Sequence, residues 1–324
     1  MSRYPFTDCL KEYMPLEEGH LSTETISTSR RRLEQLGDIL HHLKEEGRVS
    51  SDNPKKITAK DVDVLVGFRK KTVKDSTVLK DLSLLKKMFA YYDNNAVNEF
   101  KAKFPAHYPR KFQKRKAPLP GDVADRILAR SMEISTLDWK LSEAYGVVTL
   151  AICTGLRPGE LLRMYVRNIH IDGDSAQVYA EHVKGENKYG NARWIPVHPD
   201  GVPSLKRYLE ARELKLTMTG KKSEALFPAL RTGKEFFGET YIRKLKSHVS
   251  EDIGTDFSLY ECRRFYGQNA LDEGQGIHNT SLAMGHSSIA TTQRYYCDKD
   301  QKTAASEMVR FWDAHAKNTK KEGD

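Results

Sequence analysis

Cysteine is scarce in this 324-residue chain, and the four present are scattered. Cys9, Cys153, Cys262 and Cys297 form no C-x-x-C pair, which excludes a disulfide framework and a cysteine-built zinc site and fits a reducing compartment. Long hydrophobic runs are missing as well. The most apolar stretch, YGVVTLAICTGL at 145–156, is too short and too interrupted to span a bilayer. The opening MSRYPFTDCLKEYMPLEEGH has no basic-then-apolar secretion pattern. A cytoplasmic protein without a membrane partner is therefore expected. Acidic residues are the minority charge, with 44 Asp and Glu against 53 Lys and Arg and a formal net charge of +9. That balance suits a polyanionic partner, but it is spread thinly enough to be an inert basic surface.

What is present divides into two parts, as a chain of this length allows. Residues 22–104 read as helices. SRRRLEQLGDILHHLKEEG carries Leu33, Leu36, Ile39, Leu40 and Leu43 at helical spacing, and Thr58 stands as an N-cap before ITAKDVDVLVGFRKK. DSTVLKDLSLLKKMFAYY aligns Val78, Leu82, Leu85, Met88 and Phe89 on one stripe. FPAHYPRKFQKRKAPLPGD then breaks the pattern with four prolines, and Arg110, Lys111, Lys114, Arg115 and Lys116 make it basic. It serves equally as a solvated linker or as a strap along phosphates. The expected division is a helical domain over 1–108, a basic linker over 109–120 and a second domain over 121–324. That second domain is mainly helical. Its one β-hairpin is built from AQVYAEHV and ARWIPV around the polar loop KGENKYGN, and it closes with a helix over KTAASEMVRFWDAHA.

Four segments of the second part could hold an anion. In AICTGLRPGELLRM, Gly155 ends one helix and Pro158 begins the next, so Arg157 sits beside the free N–H groups of a helix start. Read alone, the same corner is an ordinary turn with Arg157 paired to Glu160. In SLYECRRFYGQNAL, Arg263 shares a helix face with Leu259, Tyr266, Gly267 and Ala270. A guanidinium among such neighbours needs an anionic partner, which an internal carboxylate could also supply. Arg264, on the polar side, could simply be solvated. In HVKGENKYGNARW, Lys184 and Lys188 are ordinary surface charges unless a leaving oxygen needs an acid. In GHSSIATTQRYYC, Gly285 ends a helix and Ser287 or Ser288 caps the next. Tyr295 then shares the polar face of Ser288, Thr291 and Thr292, and Tyr296 takes the packing face with Ile289 and Gln293.

Taken in order, these four segments resemble the boxes of the tyrosine recombinase (phage integrase) family, close to its archaeal integrase and Xer-like members. TGLRPGEL at 154–161 is similar to the first arginine box, KGENK to the β-hairpin lysine box, YECRR to the H-x-x-R box, and MGHSSIATTQRY to the terminal box, whose spacing of nine from His286 selects Tyr295. Any one box recurs by chance; four in the right order are specific. The resemblance implies a mainly α, two-domain C-shaped clamp on DNA, made of a SAM-like core-binding domain and a catalytic domain with a small β-hairpin or sheet.

It also implies roles. Tyr295 attacks the scissile phosphate to form a 3′-phosphotyrosyl link, Arg157 and Arg263 grip the non-bridging oxygens, Lys184 protonates the departing 5′-oxygen, and His286 donates a hydrogen bond. No cofactor or metal is expected, because two arginines replace the cation and the covalent link conserves the bond energy. Lys184 rather than Lys188 fits the box, because it directly precedes the loop glycine. Tyr260 stands where the family has histidine, a variant familiar among archaeal integrase-like members. A phenol donates to phosphate but is a poor proton acceptor near neutrality, which leaves open what takes the proton from Tyr295. The implied partners are double-stranded DNA with paired core sites and, on DNA, three further copies in a tetramer, with Met308, Val309, Phe311 and Trp312 of the last helix docking on a neighbour or packing within the chain. The stretch 1–21 is too short for a separate arm-type DNA-binding domain, which points to simple core sites. Rival readings are a type IB topoisomerase-like relaxing enzyme and a non-catalytic DNA-binding protein. Integration, excision and dimer resolution are not separated by the sequence.

Overall fold

A computed structural model describes residues 3–110, 116–183, 185–186, 190–286, 288–296, 308–309 and 312, with the backbone alone for 294–296. The chain forms two compact units, Met1–Lys114 and Arg115–Asp324. Each has its own hydrophobic core.

The first unit packs five helices, α1 (Pro5–Tyr13), α2 (Thr23–Glu45), α3 (Ala59–Lys70), α4 (Asp75–Tyr91) and α5 (Ala96–Lys103). Leu33, Leu36, Leu40 and Leu43 are buried on α2, as are Val78, Leu82, Leu85, Met88 and Phe89 on α4. Ile39 is half-buried at the edge of the same core. Thr58 caps α3 in a full capping box with Asp61, which satisfies two otherwise orphaned N–H donors. The opening residues, which lie in the expected helical domain but before the stretch read as helices, contribute α1. Phe6, Cys9, Leu10, Tyr13 and Met14 are all buried in this core. Their helix is nine residues long, too short for a repeating stripe to stand out.

In the second unit the helices are α6 (Gly121–Glu133), α7 (Trp139–Thr154), α8 (Pro158–Leu162), α9 (Val202–Thr219), α10 (Glu239–Ile253), α11 (Leu259–Asp272), α12 (Ile277–Met284) and α13 (Ile289–Tyr296). α7 is the hub. Every residue from Ser142 to Thr154 is buried, because α6, α9, α10 and α11 all pack against it. That explains its apolar character on all sides, since a helix without a polar face belongs inside. Leu119 N–H donates to the Glu261 carbonyl at 3.1 Å and Arg264 Nε to the Ala117 carbonyl at 2.7 Å. Residues 117–119 are thus tied to the start of α11, and Arg264 is used here rather than solvated.

The sheet has three strands where the sequence suggested a hairpin. β1 (Ile169–Asp172), β2 (Ser175–Ala180) and β3 (Arg193–Pro196) are antiparallel in that order. β1 was missed because its alternation lasts only four residues. Its connection to β2 is a two-residue turn with Asp172 opposite Ser175 and Gly173 at φ +55°, the conformation glycine adopts without a Cβ clash. Ala176, Val178, Ala180 and Ile195 are buried. The two-residue strand period places Arg193 on the face of Ile195, toward the interior.

Gly155 and Gly220 end α7 and α9 with the same φ of +62°, but a Cβ on Gly155 would lie 2.6 Å from Tyr266 Cδ1, whereas one on Gly220 would meet nothing within 4 Å. We expect Gly220→Ala to cost about 1 kcal/mol for the left-handed backbone alone and Gly155→Ala about 2–4 kcal/mol through added overpacking. Urea unfolding of both variants checks this. Equal midpoints would mean that the Gly155 turn is not sterically constrained.

Candidate functional site

Three segments distant in sequence converge at the C-terminal end of α12. The α7–α8 corner brings Arg157, the first turns of α11 bring Arg263, and the loop after α12 brings His286. Gly155 and Gly285 make this possible by ending α7 and α12 in the left-handed conformation. Arg157 stands immediately before α8. Its backbone N–H donates to Glu160 Oε2 at 2.9 Å, its Nη1 to Glu160 Oε1 at 2.7 Å and its Nη2 to the Gly285 carbonyl at 2.8 Å. Arg157 thus makes the Glu160 pairing that its corner suggested while standing at the start of a helix. Arg263 is buried, 3% exposed. It donates through Nη1 to the Gly155 carbonyl and through Nη2 to the Met284 carbonyl.

His286 completes the cluster. Its Nε2 lies 3.1 Å from Arg263 Nη2 and its Nδ1 2.8 Å from Thr292 Oγ1. Arginine only donates, so Nε2 must be the acceptor and the ring proton sits on Nδ1, donated to Thr292. Burial first, then the charges of Arg263, Arg157 and Arg193, push the imidazole pKa down to about 3. The ring is neutral near pH 7. Thr292 is fully buried in α13, and position 295 lies one turn further along the same helix face.

A third arginine, which sequence reasoning overlooked, joins these groups. Arg193 Nε donates to the Ala283 carbonyl at 2.8 Å. Its Nη1 and Nη2 reach Glu160 Oε1 and Oε2 at 3.3 and 3.0 Å, and Nη2 also reaches the Met284 carbonyl at 3.2 Å. Its signal was available: in RWIP the strand period sets Arg193 on the side of Ile195, where a charge demands partners. Glu160 is the shared anion. Burial works against its charge, but Arg193 and then Arg157 outweigh that and hold the carboxyl below its ordinary pKa.

The remaining sequence-derived residues fall as follows. Tyr260 lies in the first turn of α11 and is 56% exposed. Lys184, Lys188 and the side chain of Tyr295 lie outside the described residues, as do Lys111, Lys114 and Arg115 of the basic segment and Phe311 of the last helix. Arg110 is exposed, with its backbone N–H on Asp75 Oδ2 at 2.9 Å, and Lys116 is exposed. Among the described residues, no cluster of three or more His, Cys, Asp or Glu could hold a metal ion, and no helix is long and apolar enough to cross a membrane.

The phage integrase family model matches residues 119–302, more than half of the chain, including Arg157, Arg193, Arg263 and His286. The chain belongs to this family, the tyrosine-type site-specific DNA recombinases. The tyrosine recombinase XerD of Proteus mirabilis is 25% identical over 286 residues, 86% of this recombinase and 84% of that one. Another XerD, from Pseudomonas aeruginosa, is 28% identical over 142 residues, but the match spans only 45% of that relative's length and 44% of this chain. The XerH recombinase, solved bound to its difH substrate before cleavage, shares the fold with a TM-score of 0.68 at 14% identity, over 96% of this chain and 98% of that one.

His286 titrates from an ordinary value of 6.5 down to about 3. Below pH 6.5 the unfolded chain takes up a proton here that the folded unit refuses, so this group removes stability as pH falls from 6.5 toward 3. Nitrogen-resolved NMR of the DNA-free protein should find the His286 ring neutral at pH 5 with its proton on Nδ1. A ring titrating near 6.5 would contradict the cage of positive charge.

Proposed function

We propose that this recombinase cleaves and rejoins duplex DNA at paired core sites through a 3′-phosphotyrosyl intermediate, acting as a tetramer on DNA. Tyr295 Oη gives up its phenolic proton to solvent as it attacks the scissile phosphorus, a P–O bond to tyrosine forms, and the P–O5′ bond breaks. The 5′-oxygen leaves as a hydroxyl with a proton from Lys184. Attack by that hydroxyl of the partner strand reverses the step and regenerates Tyr295. Arg157 and Arg263 hold the non-bridging oxygens, where paired guanidinium donors match the charge that develops. Tyr260, exposed at the start of α11, donates to the same phosphate. His286 is neutral before DNA arrives. A phosphodiester seated beside Arg263 adds a negative charge that raises the ring's proton affinity and turns it toward donation.

One observation carries this reading: Arg157 and Arg263 are fastened to the adjacent carbonyls of Gly285 and Met284, next to His286. With Glu160 shared between Arg157 and Arg193, the two cationic forks on adjacent carbonyls leave a positive site suited to receive an anion. Residues of the linker, Arg110, Lys111, Lys114, Arg115 and Lys116, add phosphate contacts along the duplex. The three exposed residues Met308, Val309 and Trp312 support docking of the chain's end on a neighbouring copy.

Incubation with a nicked cognate site should yield a denaturant-resistant protein–DNA adduct. Tyr295→Phe should abolish it, and Arg157→Ala or Arg263→Ala should slow it by about 10²- to 10³-fold. Absence of an adduct from the wild-type protein would leave a DNA-binding protein without strand transfer; an adduct from Tyr295→Phe would move the nucleophile elsewhere. Duplex affinity should also fall steeply with salt, by a log–log slope of about −0.9 for each phosphate neutralised. A flat response would argue against phosphate contacts as the main source of binding.

A further inference from the structure

Arg193 is tied into the protein through most of its donors. A guanidinium has five N–H donors. In Arg193 four of them are committed within the protein: one on Nε to Ala283, one on Nη1 to Glu160, and two on Nη2 to Glu160 and Met284. With four donors committed to protein acceptors, Arg193 has one left for a phosphate oxygen. Its partners are the carboxylate that orients Arg157 and the last carbonyls of the helix that leads into His286.

The backbone at Gly285 depends on the same guanidinium. A Cβ there would lie 2.5 Å from Arg193 Cζ and 2.7 Å from Nε, so the planar group lies against a residue that must be glycine. Gly285 also has φ +64° and presents its carbonyl to Arg157. Arg193 thus touches, on one side, the anchor of Arg157 and, on the other, the turn that carries His286 and receives Arg263.

We propose that Arg193 is a positioning residue for strand transfer: by bolting the C-terminal turn of α12 to Glu160, it sets the spacing of Arg157, Arg263 and His286 around the phosphate. The proposal rests on the reading of Arg157 and Arg263 as the phosphate clamp. Removing the bolt leaves both clamp arginines in the chain but frees the turn that aligns them, and a misplacement of about 1 Å is enough to cost about 10²-fold in rate.

Adduct formation on the nicked site separates the two ideas when measured under single-turnover conditions with DNA affinity recorded alongside. Arg193→Gln should lower the maximal cleavage rate constant by about 10²-fold while leaving the duplex dissociation constant within about twofold, since most of this side chain's donors are committed within the protein. Arg193→Lys restores the charge but not the fork, and should recover part of the rate. If Arg193→Gln cleaves at the wild-type rate, the positioning role is overturned. A loss of DNA affinity in step with the loss of rate, in both variants, would also overturn it by assigning Arg193 to folding alone. If Arg157→Ala and Arg263→Ala themselves cleave normally, the clamp reading fails first and takes this proposal with it.

Discussion

Three guanidinium groups share the terminal carbonyls of one short helix, and the site depends on that arrangement. Arg193 takes Ala283 and Met284, Arg263 takes Met284, and Arg157 takes Gly285. A helix C-terminus carries partial negative charge and unsatisfied carbonyl oxygens. Here those oxygens orient cations that would otherwise repel each other. Glu160 supplies the full negative charge that the carbonyls lack, bound by both Arg157 and Arg193. Burial first, and then the remaining positive excess, keeps the His286 imidazole without a second proton.

The second unit is built so that these pieces meet. α7 is sealed on all sides, so its C-terminal Gly155 is a rigid corner, and the Gly155 carbonyl receives Arg263 from α11. Tyr266, one turn after Arg263 on α11, packs where any side chain on Gly155 would have to go. β3 delivers Arg193 from a strand, α12 approaches that strand, and Thr292 joins α13 to His286.

Much of this was legible beforehand because the relevant physics is local. Glycine at a helix end, proline at a helix start and leucines at helical spacing each speak through their own backbone, and so the corner around Arg157, the N-cap at Thr58 and the core faces of α2 and α4 could be read directly. Arg263 was suspicious for a local reason too, since a charge stood among apolar neighbours. α1 and β1 were less visible: nine and four residues give too few turns or alternations for a period to emerge. Arg264 looked like a solvated partner to Arg263, yet it holds the Ala117 carbonyl, a contact 147 residues away in sequence.

The amino-acid order alone determined the chemical inventory of this recombinase, namely which arginines, histidine and tyrosines exist and which of them flank helix ends, because capping and periodicity act over a few residues. Only the tertiary structure decided that Arg193 belongs with them, that Glu160 serves two cations, and that His286 loses its proton. Those outcomes depend on charged and polar groups separated by 23 to 128 residues in the chain being brought within hydrogen-bonding distance in a largely dry interior. Coulombic coupling there is strong because water is excluded, and no local pattern encodes how far apart two segments will finally lie.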